Sequence, residues 1–458
     1  MSEIPSRVVI AGIGLISPLG LCAWSTFDAL CRGKILTDRC AGLPACSDPI
    51  EVARAVGCVG IAQYSRADPT VELAERVARE AATEAAVELR GIATYLASSK
   101  AATTALTSDP TRISPRQALV IALGPHGYLA QQLCRRTGIQ PVSSTAAACA
   151  SGLVALHQAV RDLRSGMGPA GTSKLAMVIG TEAALQPLFL HSYRRLGVLA
   201  PLTVADYRTL PLDQRRCGFV PSELAAAVLL QCTNQVRPGQ MELLDTAVAC
   251  EAYDIVRPKP TMDALRHVAK RLLSPHSVAL IHPHAPGTLE HDPVELEVYR
   301  SITQPAPLAP ARPDYYAVKG ALGHGLGAAG LVSLVVACLC ARTAQRPPMP
   351  WLHKPIDVPL QSQACCLSSH STQAVFAAGF GGHVAGAVMM HRPAGGRTTP
   401  GVHGDTATDA DAPEGLPADI GEQAADRKKK PVNWSKVNPS NSCVDSRTRS
   451  LNSKKAKQ

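Results

Sequence analysis

Apolar positions follow two alternating patterns between about Ser6 and Met390. Short β-branched or apolar runs are typical of buried strands, whereas apolar positions spaced three or four residues apart indicate amphipathic helices. We predict strands at Arg7–Gly14, Ala118–Leu123, Leu175–Gly180, Ala225–Gln231 and Val278–His282, and helices at Val71–Leu89 and Gly152–Leu163. Strands that alternate with helices favour an α/β fold, in which helices cover a parallel or mixed sheet.

The periodicity stops near residue 390. Residues 392–458 are rich in Gly, Pro, Thr, Ala and Asp and then in Lys and Arg, and such a composition cannot bury enough apolar surface to offset its ordering entropy. We therefore predict a disordered tail, residues 392–458. For the body, the pattern leaves open a division into two similar halves, residues 1–240 and 241–391.

Composition narrows the class of protein. The chain has 458 residues, of which 46% are hydrophobic and only 4% aromatic, and its net charge is +10. This apolar content excludes global disorder, and basic residues without stacking aromatics argue against nucleic-acid binding. The first residues do not resemble a secretory signal, and the apolar run Gly325–Ala341 is too short and too glycine-rich for a membrane span. We expect a cytoplasmic protein.

The 15 cysteines do not form a disulfide or zinc pattern. Their number is odd, and no Cys-x-x-Cys motif is present. Several lie in apolar runs, as expected of small core residues in a reducing compartment: Cys58, Cys232, Cys250, Cys338 and Cys340.

Cys149 differs from these cysteines. The segment Val142–His157 reads as a strand, a tight turn of small residues and a helix. A cysteine at a helix N-terminus faces unpaired N–H groups and the macrodipole, which stabilise a thiolate. The small turn also allows a substrate carbonyl to approach both the sulfur and backbone donors, the geometry of a nucleophile with an oxyanion hole. An inert cysteine at a helix start is the alternative.

Two histidines strengthen the catalytic interpretation. His284 follows a predicted strand in a turn-rich segment, and His324 lies among the small residues of the segment Lys319–Gly330. Other readings of these segments are weaker. Gly325–Gly330 matches a dinucleotide fingerprint but follows no clear strand. The histidines at 276, 282, 284 and 291 lack the partners and spacing of a zinc site.

Taken in order, five segments resemble the β-ketoacyl-acyl carrier protein synthases of the thiolase superfamily. They are Val9–Gly20, Thr145–His157, Pro211–Glu223, Ala249–Pro258 and Ala378–Gly382. The resemblance covers about residues 6–390 and implies a thiolase-like fold: two similar halves of mixed sheet covered by helices. It also implies an acyltransferase that elongates an acyl chain with a malonyl thioester, in fatty acid or polyketide biosynthesis.

The resemblance implies a role for each matching residue. Cys149 would carry the acyl chain, and His284 and His324 would polarise the malonyl thioester during decarboxylation. The backbone N–H groups of Cys149 and Phe380 would form the oxyanion hole, with Phe380 also gating the acyl pocket. The remaining site residues would be a supporting charge network, Lys319, Glu223, Asp292 and Glu295, and Thr288 at the carrier arm.

The same resemblance implies that no metal or redox cofactor is required and that substrates arrive on the phosphopantetheine arm of an acyl carrier protein. It further implies a homodimer, or a heterodimer with a second synthase-like chain.

This sequence departs from the family pattern at several positions. Pro286 replaces a threonine, Ser333 replaces a glutamate, and the closing glycine loop ends in His383-Val384 in place of Thr-Asn. The chain is therefore identified as a divergent member. Two alternatives stay open: a non-catalytic partner that sets chain length in a heterodimer, and acyl transfer without decarboxylation.

Overall fold

The structure is a computed structural model. It describes residues 7–35, 40–42, 51–53, 68–107, 113–166, 174–201, 209–303, 312–357, 360–368 and 371–392. Apart from residue 392, the predicted disordered tail lies outside the described residues, and so does Cys58.

Fourteen strands and nine α-helices are formed by the described residues. The strands are β1 (Arg7–Ile16), β2 (Cys40–Gly42), β3 (Glu51–Ala53), β4 (Ala93–Ala97), β5 (Gln140–Thr145), β6 (Leu175–Glu182), β7 (Leu224–Thr233), β8 (Met241–Cys250), β9 (Val278–His282), β10 (Asp314–Tyr315), β11 (Gln345–Arg346), β12 (Cys365–Cys366), β13 (Thr372–Gly379) and β14 (His383–His391). The helices are α1 (Ala23–Cys31), α2 (Pro69–Glu84), α3 (Pro115–Thr137), α4 (Ser151–Ser165), α5 (Pro187–Arg195), α6 (Asp263–Leu273), α7 (His291–Ile302), α8 (Lys319–Leu322) and α9 (Ala329–Thr343).

Ten strands form one mixed sheet in the order β10-β9-β13-β14-β8-β1-β7-β6-β4-β5. The central pair, β1 and β8, is antiparallel. Outward from β1 the strands are β7, β6, β4 and β5, and outward from β8 they are β14, β13, β9 and β10. When the five sheet strands of each half are numbered along the chain, both halves therefore have the same order from the centre outward: first, fifth, fourth, second and third. Both also pair the outer strands in parallel and the inner strands antiparallel. The predicted α/β fold with two similar halves of mixed sheet is therefore confirmed.

Two helices, α4 and α9, contact each other and strands of both halves. Every residue from Ala329 to Ala341 of α9 is buried, which explains the long apolar run in the sequence. The stretch Leu326–Thr343 is long and apolar enough to cross a membrane, but 89% of it is buried inside the protein, as in a core helix. Cys149 and His324 lie just before these two central helices, so the core fixes both residues.

Some local predictions were wrong. Residues 118–123 form part of α3 and not a strand, because Ser114 and Gln117 build a capping box and Pro115 begins the helix. The strand predicted to end at Gly14 continues to Ile16 as β1. A Cβ at Gly12 would lie 2.0 Å from the carbonyl oxygen of Ala81, so this glycine allows α2 to pack closely on the strand.

Two further differences concern the helix Val71–Leu89 and the cysteines. The helix runs from Pro69 to Glu84, because Ala85 closes it and Ala86 takes a positive φ of 54°.

All described cysteines are free thiols. Cys338 and Cys340 are buried as predicted, but Cys250 is exposed near the end of an antiparallel pair.

Candidate active site

Cys149 lies in the turn between β5 and α4. Its side chain is 7% exposed, and α4 begins two residues later without a side-chain cap. Ser151 holds the turn, because its Oγ accepts from Ala147 N (2.8 Å) and donates to Ala148 O (2.6 Å). The thiol therefore lies beside the N-terminus of a buried helix, as the sequence predicts.

Unfavourable backbone conformations occur at all three segments of the predicted catalytic set. Ala148 precedes the nucleophile with φ 46°, Ala285 follows His284 with φ 29°, and Leu326 lies two residues after His324 with φ 41°. Side-chain-bearing residues rarely adopt these angles, and such strain persists where the surrounding structure imposes it, often at functional sites.

His324 is held by its backbone and by one ring nitrogen. Its N–H donates to Val220 O (2.8 Å), its carbonyl accepts from Ser222 N (3.0 Å), and Leu326 N donates to its Nδ1 (3.2 Å). Because a backbone N–H can only donate, Nδ1 is the acceptor, and neutral His324 carries its proton on Nε2. The ring of Phe219 packs edge-to-face against the imidazole, at 4.8 Å between centroids.

His284 is anchored from behind by a buried charge network. Glu295 accepts from His284 N and Ala285 N, both at 2.7 Å, and the ammonium group of Lys319 donates to the carbonyl of His284. Asp292 accepts from Leu212 N (2.9 Å) and Gly287 N (3.1 Å), which fixes the rest of this loop. Glu295, Lys319 and Asp292 therefore hold the backbone of the His284 segment, and none of the three lines the cavity.

Electrostatics keep the two histidines neutral. Burial, together with the positive charge of Lys319, holds the pKa of His284 and of His324 well below the usual range. Burial lowers the pKa of Lys319 to about 8, opposed by the charge of Glu295, and raises the pKa of Asp292 to about 6. A neutral imidazole can donate an N–H hydrogen bond to a developing negative charge without transferring its proton.

Cys149, His284 and His324 line one cavity of about 320 Å³. The two imidazoles are 5.5 Å apart, measured between ring centroids. Thr288 and Phe380 line the same cavity. Glu223 is buried just before β7, next to the backbone that pairs with His324. The structure therefore brings the predicted nucleophile, both histidines, the carrier-arm threonine and the gate to one space.

The closing glycine loop lies against the nucleophile turn. A Cβ at Gly379 would be 2.8 Å from Ala147 O and 2.9 Å from Cys149 N, so only glycine allows this approach. Phe380 follows directly and packs on the apolar cluster around Cys149. This contact brings the backbone of the loop to the place where the resemblance puts an oxyanion hole.

The sequence predicts a stabilised thiolate at Cys149, and the structure differs here. Burial raises the pKa of Cys149 to about 12, and the negative charge of Glu182 adds to this, while Lys319 and Lys100 oppose it. Desolvation of the buried sulfur therefore outweighs the favourable position at the helix start. The free protein holds a thiol and not a thiolate at this position.

We expect alkylation of Cys149 by iodoacetamide to rise about tenfold per pH unit up to at least pH 10, because the thiolate fraction limits the rate. Peptide mass mapping separates Cys149 from the exposed Cys134 and Cys250, which serve as internal controls. A plateau for Cys149 below about pH 8 would show that the thiolate is stabilised after all.

Two residues of the site were not predicted as such. Glu182, fully buried at the end of β6, accepts from Ser99 N (2.7 Å) and Gly327 N (3.3 Å), and so joins two loops next to Cys149. A carboxylate at the end of an apolar strand is the signal that could have found it.

The second residue is His291, which lines the cavity beside His284. Within the described residues, no group of three or more His, Cys, Asp or Glu is arranged to hold a metal ion.

Comparison with known families agrees with this geometry. Residues 56–235 match "Beta-ketoacyl synthase, N-terminal domain", and residues 241–353 match "Beta-ketoacyl synthase, C-terminal domain". The chain belongs to the β-ketoacyl synthase family.

Curated relatives include the 3-oxoacyl-[acyl-carrier-protein] synthase 2 of Coxiella burnetii and of Synechocystis. Each is 26% identical to this chain. The alignments cover 76% of this chain and 89% of the first relative, and 82% of this chain and 96% of the second.

Solved structures confirm the thiolase-like fold. A type II polyketide ketosynthase in complex with its acyl-carrier protein superposes with a TM-score of 0.70 at 20% identity, over 84% of this chain and 99% of that chain. The ishigamide ketosynthase/chain length factor also gives 0.70, at 19% identity, over 85% of this chain and all of that chain.

Proposed function

We propose that the protein is a β-ketoacyl synthase that performs a decarboxylative Claisen condensation between a Cys149-bound acyl chain and a malonyl thioester on acyl carrier protein. The observation that supports this most strongly is the shared cavity, which the thiol of Cys149 and the neutral imidazoles of His284 and His324 line together. The pathway is fatty acid or polyketide biosynthesis.

The first half-reaction acylates Cys149. The sulfur attacks the carbonyl of the donor thioester, a new C–S bond forms, and the bond to the carrier's pantetheine sulfur breaks. The thiol proton of Cys149 leaves with the carrier sulfur, so a buried thiol requires no lasting charge in the cavity. Backbone N–H groups at Cys149 and Phe380 stabilise the tetrahedral oxyanion.

The second half-reaction uses the histidines. Their N–H groups hold the carbonyl oxygen of the malonyl thioester, the bond to its carboxylate breaks, and carbon dioxide leaves behind an enolate. The enolate carbon attacks the acyl-enzyme, the C–S bond to Cys149 breaks, and the released sulfur takes up one proton from solvent, which is the proton that the overall reaction consumes. The product is a β-ketoacyl chain on the carrier.

Partners and location complete the proposal. The acyl carrier protein delivers both substrates, with Thr288 bonding the carrier arm. Arg216 supports this contact, because its guanidinium donates to Thr288 O and Leu289 O, each at 3.0 Å. The protein works in the cytoplasm as a homodimer or with a second synthase-like chain.

Intact-protein mass after incubation with a panel of acyl-carrier thioesters tests the nucleophile. We expect an acyl-sized mass gain in the wild type and none in Cys149→Ala. Cys217→Ala is the matched control, since Cys217 lines the same cavity and its variant should still gain the acyl mass. If folded wild-type protein accepts no acyl group from any donor, the enzyme assignment fails and a non-catalytic partner role takes its place.

A further inference from the structure

His291 is a further imidazole in the cavity, next to His284, and the proposed condensation does not use it. It begins α7, and its ring is 5.0 Å from the ring of His284, edge-to-face at 73°. His291 is 8% exposed, and it lines the cavity.

The same ring faces the carboxylate that anchors His284. His291 Nε2 lies 3.4 Å from Glu295 Oε2, too far and too poorly aligned for a full hydrogen bond, and it has no other partner among the described residues. Glu295 Oε2 also accepts from Ala285 N, whose φ of 29° is unfavourable for a side-chain-bearing residue. His291 therefore contacts His284 twice: directly through its ring, and through Glu295 at the backbone.

We propose that His291 is a positioning residue for His284, which fixes both the ring and the strained backbone of that histidine in the orientation that decarboxylation requires. This inference rests on the proposed function. A ring held only by its own backbone could turn about its side-chain bonds, and a displacement of about 1 Å can cost about 10²-fold in rate.

Measuring the two half-reactions separately distinguishes a loss of His284 positioning, which slows only decarboxylation, from a loss of fold, which slows both. Acylation of Cys149 does not use the ring of His284, whereas decarboxylation does. We expect His291→Phe, which keeps an aromatic ring but no donor, and His291→Gln, which keeps a donor but no ring, to decarboxylate malonyl-carrier thioester about 10- to 100-fold more slowly. Both should acylate Cys149 at nearly the wild-type rate.

His267→Phe is the matched control, because His267 is an exposed histidine on α6 and should leave both half-reactions unchanged. Decarboxylation at the wild-type rate in either His291 variant would overturn the inference, and so would a parallel loss of both half-reactions. Failure of the wild type to decarboxylate would instead overturn the proposed function.

Discussion

Replacement of His284 or His324 by alanine should lower malonyl decarboxylation by about 10²- to 10⁴-fold, the range for removing a positioned proton donor or oxyanion-stabilising group. Both rings line the cavity, and His324 presents its Nε2 proton because Nδ1 is occupied by Leu326 N. Burial and Lys319 keep both rings neutral, so each can donate to the enolate oxygen as negative charge develops.

Release of carbon dioxide from labelled malonyl-carrier thioester measures this effect. His267→Ala, on the exposed side of α6, is the control and should match the wild type. Each catalytic variant should still acquire an acyl group on Cys149, since that step does not need both imidazoles. A decarboxylation rate within threefold of the wild type in either variant would remove that histidine from the mechanism.

Replacement of Glu295 by alanine should lower the free energy of unfolding by about 4 kcal/mol, because a buried donor left without its acceptor costs about 1–3 kcal/mol. The fully buried Glu295 carboxylate accepts from His284 N, Ala285 N and the hydroxyl of Tyr299 (2.6 Å), and all three donors would lose their acceptor. Denaturant unfolding measures the change.

The pH dependence gives a second test of Glu295. Burial acts to raise its pKa, but His291, Tyr299 and the backbone donors outweigh burial and hold the pKa below 4.5. A lowered pKa contributes stability above about pH 4.5 that disappears as the pH falls through the folded value, so the gap between wild type and Glu295→Ala should narrow in acid.

Glu297→Ala is the matched control on the same helix. Its carboxylate is exposed, so we expect a change within about 0.5 kcal/mol. If Glu295→Ala and Glu297→Ala unfold at the same denaturant concentration, the buried network does not hold the His284 segment as described.

Hydrophobic patterning predicted the buried strands well. β6, β7 and β9 lie where short apolar runs predicted them, because strands covered on both faces read as continuous apolar stretches. The same rule failed at residues 118–123, where the apolar run lies in α3 with Ile121 and Leu123 exposed. A short apolar run alone does not distinguish a strand from a helix, and the capping box at Ser114 was the signal that decided it.

The sequence predicted the site residues whose neighbours along the chain have a characteristic pattern. It did not predict those that join the site only through contacts between distant segments. Cys149 and His324 precede helices, and small residues surround them in the sequence. The contacts of Glu182 with the Ser99 and Gly327 loops form only through folding, although its place at the end of an apolar strand is a local signal. His291 reaches the cavity and the ring of His284 only through folding, and nothing in its local sequence reveals that contact. The pKa of Cys149 was also missed, because burial of the sulfur is not readable from a helix start.

A single-turnover condensation tests whether the protein extends the acyl chain on Cys149. Wild-type protein carrying an acyl group on Cys149 is mixed with malonyl-carrier thioester, and the carrier is analysed by mass. We expect a β-ketoacyl chain two carbons longer than the acyl group on the carrier, together with loss of the acyl mass from the protein. An acylated protein that releases its chain unextended would contradict condensation and leave acyl transfer as the activity.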